Sequence, residues 1–340
     1  MITDRNVLRQ VILTVFVASV LNSFCMARSF AEDRKVKVGV ILPLTGAFAR
    51  YGAHIQSVVS HFSTDKIDFV YEDEGCDPKI SVTAFKKLSD FDGIKYFLGP
   101  WCGSPQSAVA PLLKAHKQLA MLGSSAPISV YGLSDKRMFS TQPSIEEEST
   151  FLGKEVSKSG AKSVAIIFYE NQFSRAHEAA FRNTYTGKIF ETFAYSSDNI
   201  SDLKSIALKI KQLKPEALYV PDAFPLMAGF VRELHAIGVK DIPIYSVYSA
   251  QSDDVLRALG KDGEGLLYSY PDIGEEDALN RFPNLAVQYL VDAVAKCGED
   301  VECARGYLLS TKKFDENGVL SGGMVLKTIR GGKFVAVGKK

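Results

Sequence analysis

The chain has 340 residues and a formal net charge of +1, and hydrophobic residues make up 46% of it. This length exceeds one ordinary domain and suits two domains of roughly 150 residues each. Lysine and arginine form no basic block, which argues against nucleic acid as a main partner, because neutralising phosphates requires clustered positive charge.

Residues 1–31 are predicted to be a signal peptide that is not part of the fold. Two arginines precede the apolar run Val11–Leu21, and small residues precede a cleavage site after Ala31. The run is short for a membrane span of about 20 residues, which disfavours a retained anchor. A lipoprotein attached at Cys25 is also disfavoured, because Phe24 stands where that motif needs a small residue. We therefore expect an exported protein.

The first part of the mature chain alternates apolar runs of strand length with segments of helical spacing such as Tyr51–Phe62. The predicted strands are Val36–Leu42, Asp68–Tyr71, Ile94–Leu98, Leu119–Leu122 and Arg137–Thr141. This alternation is typical of a parallel sheet covered by helices, in which ligands bind at the carboxyl ends of the strands. Those ends are Asp73–Asp77, Gly99–Ser104 and Gly123–Pro127.

The alternation restarts after residue 142 and predicts a second α/β lobe. Its helices are Glu146–Ser159, Ala176–Tyr185, Asp202–Leu213, Pro225–Ile237 and Ser252–Leu259. Its strands are Ser163–Phe168, Ile189–Tyr195, Ala217–Val220, Ile244–Val247 and Leu266–Tyr270. Two further helices, Leu285–Lys296 and Val301–Leu309, precede two final strands, Val325–Ile329 and Phe334–Val337. Because no low-complexity linker separates the lobes, we expect the chain to cross between them more than once.

Four cysteines remain after removal of the signal peptide, and an even number in an exported protein indicates disulfides. Cys297 and Cys303 flank a short turn between two predicted helices. Cys76 and Cys102 follow strands that should be close neighbours in the sheet. We therefore predict the pairs Cys76–Cys102 and Cys297–Cys303; the alternative is four free buried thiols.

The segment Trp101–Pro105 (WCGSP) is the first candidate for chemistry. A cysteine at a helix start is typical of redox enzymes, but Pro105 replaces the second cysteine of a CxxC motif and Cys76 offers a structural partner. Ser104 as N-cap and Pro105 as first helical residue would instead direct free backbone N–H groups out of the sheet edge, toward a carboxylate. Gly123–Pro127 adds hydroxyls at the same edge. The plainer alternative is a capped helix beside a polar loop.

Other motifs of catalysis or metal binding are not found in the sequence. The five histidines lack the spacing of paired metal ligands, and neither GxSxG nor GxxxxGK[ST] occurs. Glu146–Glu148 is interpreted as a helix start that the helix dipole stabilises. Asp73, Glu74 and Asp77 would suit calcium but are interpreted as an acidic turn before Pro78. We expect no metal and no cofactor.

Four segments of the chain carry a family resemblance. They are Val38–Gly46 with Ala49–Gly52, Tyr71–Lys79, Asp92–Cys102 and Phe314–Gly318. They resemble the leucine/isoleucine/valine-binding proteins, the type I periplasmic solute-binding components of ABC transporters, over nearly all of the mature chain. The resemblance implies an α/β fold of two Rossmann-like lobes with parallel-type sheets, joined by a three-segment hinge. The N-terminal lobe would hold residues 32–142 and 271–322, and the C-terminal lobe residues 143–270 and 323–340.

The function implied by this resemblance is the capture of a small-molecule ligand in the periplasm by a monomer and its delivery to a membrane permease, without enzymatic activity. The implied ligand contacts are Tyr51, Trp101, Gly103, Ser104, Ser124 and Ser125 in the first lobe, and Phe173, Asp222, Ala223, Phe224 and Tyr248 in the second. The alternative is a periplasmic ligand sensor of the same fold that acts through a signalling partner.

The chain departs from the family at several of these contacts, among them the loop that leaves Ser124–Ser125 where the family has a threonine. Gly103 stands where the family has a serine that holds the ligand carboxylate, and Tyr248 stands where it has the acidic residue that pairs with the α-ammonium group. Asp222 is the nearest carboxylate that would replace it. Together with the aromatic contacts, these departures favour an apolar or aromatic acid or amide over leucine, isoleucine or valine.

Overall fold

The computed structural model describes residues 35–196, 200–222, 226–274, 276–320 and 322–338. The predicted signal peptide and its cleavage site lie outside these residues. Two β-sheets form the centre of the fold, and each has a hydrophobic core on both faces where helices pack. Within the described ranges, no helix is long and apolar enough to cross a membrane.

The first sheet consists of five parallel strands. They are β1 (Val36–Leu42), β2 (Ile67–Asp73), β3 (Tyr96–Leu98), β4 (Leu119–Leu122) and β5 (Met138–Ser140). The helices that follow them are α1 (Ala49–Ser60), α2 (Pro78–Lys86), α3 (Gly103–His116) and α4 (Ile128–Leu133). The strand order is β2-β1-β3-β4-β5. The direction of winding therefore reverses between β1 and β3, and a crevice forms at the carboxyl ends of strands at such a point.

The second sheet consists of seven strands. They are β6 (Ser163–Tyr169), β7 (Lys188–Tyr195), β8 (Ala217–Val220), β9 (Ile244–Ser246), β10 (Leu267–Pro271), β11 (Met324–Arg330) and β12 (Lys333–Ala336). Their order is β12-β11-β10-β9-β8-β6-β7. The pairs β10–β11 and β11–β12 are antiparallel, and all other neighbours are parallel. The remaining helices are α5 (Ile145–Lys158), α6 (Gln172–Arg182), α7 (Ile200–Leu213), α8 (Leu226–Ala236), α9 (Asp253–Leu259), α10 (Ala278–Cys297) and α11 (Val301–Ser310). The predicted α/β fold with two largely parallel sheets is confirmed.

The chain passes between the two sheets at three places. After β5, helix α5 packs Leu152 and Val156 on the second sheet. After β10, helix α10 packs Leu290 in the core of the first sheet, and Leu320 belongs to that core as well before β11 joins the second sheet. These passages are compatible with lobe boundaries near residues 142, 271 and 322, which stay a prediction.

Helix α10 is longer than predicted. The sequence predicts a start at Leu285, after Pro283, whereas the helix begins at Ala278 with Asp277 as a side-chain N-cap. Phe282 is fully buried, and its ring packs against the rings of Tyr248 and Tyr270, which belong to the turn after β9 and the second sheet. Capping and burial therefore outweigh the backbone hydrogen bond that a proline removes.

Both predicted disulfides are present. Cys297 and Cys303 connect α10 to α11, and Cys76 and Cys102 connect the loop after β2 to the start of α3, with Cα atoms 5.3 Å apart in the second pair. The redox interpretation of Cys102 is therefore not supported, because its sulfur is engaged. Asp77 caps α2 by accepting two backbone N–H groups, as expected for an acidic turn rather than a calcium site.

Candidate ligand-binding site

A cavity of about 120 Å³ lies between the two sheets at the carboxyl ends of β1, β3 and β4. On the side of the first sheet it is lined by Phe48, Tyr51, Cys76, Trp101, Cys102, Gly103, Ser104, Ser124 and Ser125, and on the side of the second by Asn171, Gln172, Phe173 and Tyr248. This position is the reversal point of the first sheet, where ligands of such sheets bind. The structure thus brings together eight of the predicted contacts.

Asp222 is not among the described residues that line the cavity. Its carboxylate accepts hydrogen bonds from the backbone N–H of Tyr169 (2.6 Å), the hydroxyl of Tyr195 and the hydroxyl of Ser174. It is fully buried, and burial raises the pKa of Asp222 to about 6 although these hydrogen bonds lower it. The structure therefore does not offer it to a ligand ammonium group. Ala223 and Phe224 lie outside the described residues.

The start of α3 differs from the prediction. The helix begins at Gly103 with Cys102 at the N-cap, so Ser104 does not cap it and Pro105 is its third residue. Pro105 has no N–H, and the N–H of Gln106 donates to the carbonyl of Cys102 (3.0 Å). The N–H groups of Gly103 and Ser104 have no partner among the described residues, and both residues line the cavity. Two free donors at the positive end of a helix are suited to an anion.

Two glycines position Trp101 at the cavity wall. Gly99 has φ +92°, and a Cβ there would lie 2.2 Å from the carbonyl oxygen of Ile41, so the turn out of β3 requires glycine. A Cβ on Gly123 would lie 2.9 Å from the indole ring. The missing side chain at Gly123 therefore leaves room for the Trp101 ring to pack across the end of β4.

A buried carboxylate lies behind the start of α3. Glu74 is fully buried and accepts hydrogen bonds from the backbone N–H of Trp101 (3.1 Å) and of Cys102 (2.9 Å). Burial raises the pKa of Glu74 to about 8, and these hydrogen bonds oppose the rise. Glu74 thus satisfies two N–H groups and leaves the next two, at Gly103 and Ser104, for a ligand.

Glu74 also belongs to the one group of potential metal ligands within the described ranges. Its carboxylate lies within 4.8 Å of the sulfur atoms of Cys76 and Cys102. Because these sulfurs are bonded to each other, they cannot ligate a metal as thiolates. The residues present therefore do not fit a metal site.

The two predicted serines have different roles. The Ser124 hydroxyl donates to the carbonyl of Trp101 (3.0 Å) and accepts from the side chain of Gln106 (2.8 Å), so it supports the turn before α3. Ser125 lines the cavity and is only 3% exposed, and its hydroxyl lies near the Tyr248 phenol but makes no hydrogen bond of normal geometry with the described residues. Leaving a buried hydroxyl unpaired costs about 1–3 kcal/mol. Ser125 therefore points to a ligand with a polar group.

The opposite wall is aromatic. The rings of Phe173 and Tyr248 meet edge to face with centroids 6.2 Å apart, and Phe173 packs against His177 with centroids 4.4 Å apart. Behind this wall, Glu148 accepts hydrogen bonds from the backbone N–H of Tyr248 (2.7 Å) and the hydroxyl of Ser269 (2.5 Å). These contacts hold the backbone of Tyr248 in place at the cavity.

Sequence reasoning missed some of these residues. The sequence predicts a role for Glu148 in a dipole-stabilised helix start and does not predict its burial, yet it is only 2% exposed. Its spacing of four from buried Leu152 places it on the inner face of α5. Asn171 and Gln172 line the cavity because α6 begins at Gln172, not at Ala176. The preference of asparagine for N-caps would have identified this start, since Asn171 accepts the hydrogen bond of a cap.

The described lining of the cavity contains no charged side chain. Charged groups lie next to Tyr51 but outside this lining, where Arg50 of α1 and Asp254 of α9 form an ion pair of 2.9 Å. The Gln172 side chain donates to the hydroxyl of Ser107 (2.8 Å), and this hydrogen bond, like the ion pair, connects the two sides of the cavity. The site thus has free donors for an anion but offers no carboxylate to a cationic group.

Comparison with known proteins places this geometry in a family. The family profile described as "Periplasmic binding protein" matches residues 35–298, which is more than half of the chain. The chain belongs to this family. Among curated relatives, the Leu/Ile/Val-binding protein homolog 6 of Brucella melitensis is 24% identical over 263 residues, which cover 73% of this chain and 67% of the relative.

Solved periplasmic binding proteins share the fold. A solute binding protein of an ABC transporter from R. palustris, in complex with benzoate, matches with a TM-score of 0.79 at 17% identity. The match covers 90% of this chain and 96% of that protein's chain. The branched-chain amino acid transporter substrate binding protein of Streptococcus pneumoniae, in complex with isoleucine, has a TM-score of 0.77 at 15% identity and covers 89% and 99%. The predicted membership of the Leu/Ile/Val-binding type is confirmed, and the chain is a binding protein and not an enzyme.

Proposed function

We propose that this periplasmic binding protein is the solute-binding component of an ABC transporter of the branched-chain amino-acid and amide uptake class, and that its ligand is a small carboxylate without an α-ammonium group. One observation carries this proposal: the N–H groups of Gly103 and Ser104 have no partner among the described residues, and no described residue that lines the cavity is charged. The benzoate complex of the R. palustris protein shows that this fold can hold an aromatic acid.

The ligand carboxylate would bind at the start of α3. The N–H groups of Gly103 and Ser104 would donate to it, and each hydrogen bond to a charged group contributes about 1.5–3 kcal/mol. The partial positive charge of the helix end adds to this attraction. The apolar part of the ligand would then lie among Trp101, Phe173 and Tyr248.

An α-ammonium group would have no counter-charge in this cavity. Asp222 is engaged with three donors, and Glu148 lies behind Tyr248, where it accepts two hydrogen bonds. An unpaired charge that is removed from water costs several kcal/mol. A zwitterionic amino acid should therefore bind more weakly than the acid with the same carbon skeleton.

Closure of two lobes on the ligand is part of this proposal. The lobes would be residues 32–142 with 271–322 and residues 143–270 with 323–340, and they would move about the three passages of the chain. The contacts of Arg50 with Asp254 and of Gln172 with Ser107 would form on closure. Export to the periplasm by cleavage after Ala31, action as a monomer and delivery to a membrane permease complete the proposal.

Mass spectrometry of the compound released on denaturing the purified protein tests the ligand class. The proposal predicts a small carboxylic acid without an amino group, at close to one per chain. Recovery of leucine, isoleucine or valine in that amount would contradict it. Protein that is unfolded and refolded before a second extraction serves as a control, because it should release no ligand until an acid is added back.

A further inference from the structure

A buried acidic side chain lies directly behind the aromatic wall of the cavity. Glu148 of α5 is almost completely buried, and its Oε1 atom accepts hydrogen bonds from the backbone N–H of Tyr248 (2.7 Å) and the hydroxyl of Ser269 (2.5 Å). Tyr248 in turn lines the cavity. Glu148 is therefore bonded to a residue that a ligand in the cavity would touch.

His177 is the only basic side chain that the described residues place in ion-pair range of Glu148. Its Nε2 atom lies 3.8 Å from Oε2 of Glu148 and has no hydrogen-bond partner within the described part of the chain. Its Nδ1 atom lies 2.7 Å from the Ser149 hydroxyl, and when Nδ1 donates this hydrogen bond, Nε2 is an acceptor that faces the carboxyl group. Burial lowers the pKa of His177 to about 3, so the ring brings no positive charge to Glu148 at neutral pH.

The other titratable groups near Glu148 and His177 supply no positive charge either. They are Glu147 on α5, Glu178 on α6, which pairs with Arg182, Tyr219 on β8 and Tyr248 after β9. Lys327 of β11 lies over the ring of Tyr270, which points to the opposite face of the sheet from its neighbour Ser269. Burial therefore raises the pKa of Glu148 to about 8, although the hydrogen bonds from Ser269 and Tyr248 oppose the rise.

A negative charge on Glu148 would act on whatever occupies the cavity. It already acts on one lining side chain, because burial and then the charge of Glu148 raise the pKa of the Tyr248 phenol. No described lining residue carries a charge that would offset it. Like charges repel more strongly where water is excluded, so an ionised Glu148 would disfavour an anion in the cavity and favour a cation.

We propose that Glu148 determines which ligand charge the cavity accepts: with its proton in place the cavity admits an anion, and without that proton it disfavours one. His177 supports the protonated form, because its neutral ring faces the carboxyl group in a site without a cation. Binding of a carboxylate and retention of the proton on Glu148 are then linked, since each favours the other. This inference rests on the proposed function, because it takes the ligand to be a carboxylate.

Calorimetric titration with benzoate and with benzamide, from about pH 6.5 to about pH 9.5, tests the inference. The Kd of benzoate should rise by about three- to tenfold as Glu148 loses its proton, whereas the Kd of uncharged benzamide should change by less than about twofold. The tyrosines of the lining stay neutral in this range, because burial raises the pKa of Tyr51 to about 12 and that of Tyr248 as well. Thermal unfolding shows that the protein is folded at each pH.

Two variants assign the effect to Glu148. Glu148→Gln is uncharged at every pH and can still accept from Tyr248, so the rise in the Kd of benzoate should be at least about threefold smaller than in the unmodified protein. This difference should persist when both proteins also carry Glu74→Gln, which removes the second buried carboxyl group near the cavity. Ser269→Ala deletes a hydrogen bond that lowers the pKa of Glu148, so the rise should begin at higher pH, and this variant decides the matter if Glu148→Gln does not fold.

Each contrary result has a distinct meaning. If benzoate binds with a Kd that stays within about twofold over the whole range, the inference is overturned while the proposed function stands. An equal rise in the unmodified protein and in folded Glu148→Gln also overturns it, as does an onset that Ser269→Ala leaves in place. A benzamide Kd that rises as much as that of benzoate would show a change of shape and not of charge. If neither benzoate nor 4-methylpentanoate binds at any pH, the proposed function falls and this inference falls with it.

Discussion

Replacing Gly103 by proline tests the anion site at one hydrogen-bond donor. Gly103 is the first residue of α3, and Cys102 before it has extended dihedrals of φ −82° and ψ 147°. Proline is favoured at the first position of a helix, and the residue before a proline prefers an extended conformation. The substitution therefore removes the N–H that faces the ligand without breaking a helical hydrogen bond, because the first N–H groups of a helix have no intrahelical partner.

The expected loss follows from the hydrogen bond that is removed. A hydrogen bond to a charged group contributes about 1.5–3 kcal/mol, which corresponds to a rise in Kd of roughly 10- to 150-fold for an acid such as benzoate. The free energy of unfolding should change by less than about 1 kcal/mol, since proline suits this position. Isothermal titration calorimetry measures the Kd, and thermal unfolding measures the stability.

Gly103→Ala is the matched control because it keeps the N–H. A Cβ at this position would lie 3.7 Å from the Cβ of Gln172 and 3.7 Å from the backbone nitrogen of Phe173, which are ordinary contacts. We expect its Kd to stay within about threefold of the unmodified protein. A folded Gly103→Pro variant that binds benzoate as tightly as Gly103→Ala would refute the placement of the carboxylate.

Other outcomes concern stability and closure. As pH rises from about 4.5 to about 8, the free energy of unfolding should fall, because the raised pKa of Glu74 lets the folded protein keep a proton that the unfolded chain releases. Glu74→Gln should reduce this dependence of the free energy of unfolding on pH by up to about 1.4 kcal/mol per pH unit, as measured by urea titrations at each pH. The double variant Cys76→Ser/Cys102→Ser should lose about 3.5 kcal/mol of stability by loop-closure entropy and bind benzoate more weakly in calorimetry, because Cys102 precedes the anion site. Arg50→Ala should weaken binding by less than about fivefold and speed ligand release in stopped-flow measurements, because its ion pair with Asp254 is largely exposed on the arginine side.

Each of these outcomes has a control. Glu191 is exposed, and Glu191→Gln should leave the pH slope unchanged; equal slopes for this variant and Glu74→Gln would contradict the assignment. Cys297→Ser/Cys303→Ser opens a shorter loop remote from the cavity, so it should lose about 2.4 kcal/mol without a change in Kd. Arg305→Ala removes an ion pair outside the cavity and should not affect ligand release, and a release rate that is equal in both arginine variants would argue against closure through Arg50.

The position of the site could be predicted from the sequence because it depends on strand ends. Short apolar runs followed by turn residues located the carboxyl ends of β3 and β4, and these ends carry Trp101 and Ser125 at the cavity. The same reasoning paired Cys76 with Cys102, since neighbouring strands bring their following loops together. The alternation of apolar runs with segments of helical spacing sufficed to predict the fold class, because it is typical of a parallel sheet covered by helices.

The direction of individual side chains could not be predicted in this way. Asp222 follows β8 at a strand end, but its carboxylate turns to donors of its own lobe and not to the cavity. Glu148 belongs to an acidic helix start, and it is buried behind Tyr248. Serine is favoured at N-caps, which suggested Ser104, but the backbone dihedrals place the N-cap at Cys102. Tertiary packing decides each of these cases.

Calorimetric titration with leucine and 4-methylpentanoate tests the central claim most directly. The two ligands share a carbon skeleton and a carboxylate and differ in the ammonium group alone. Because the free N–H groups of Gly103 and Ser104 serve the carboxylate and no described lining residue is charged, 4-methylpentanoate should bind at least about tenfold more tightly than leucine. Tighter binding of leucine would show that the cavity pairs the ammonium group after all and would contradict the proposed ligand class.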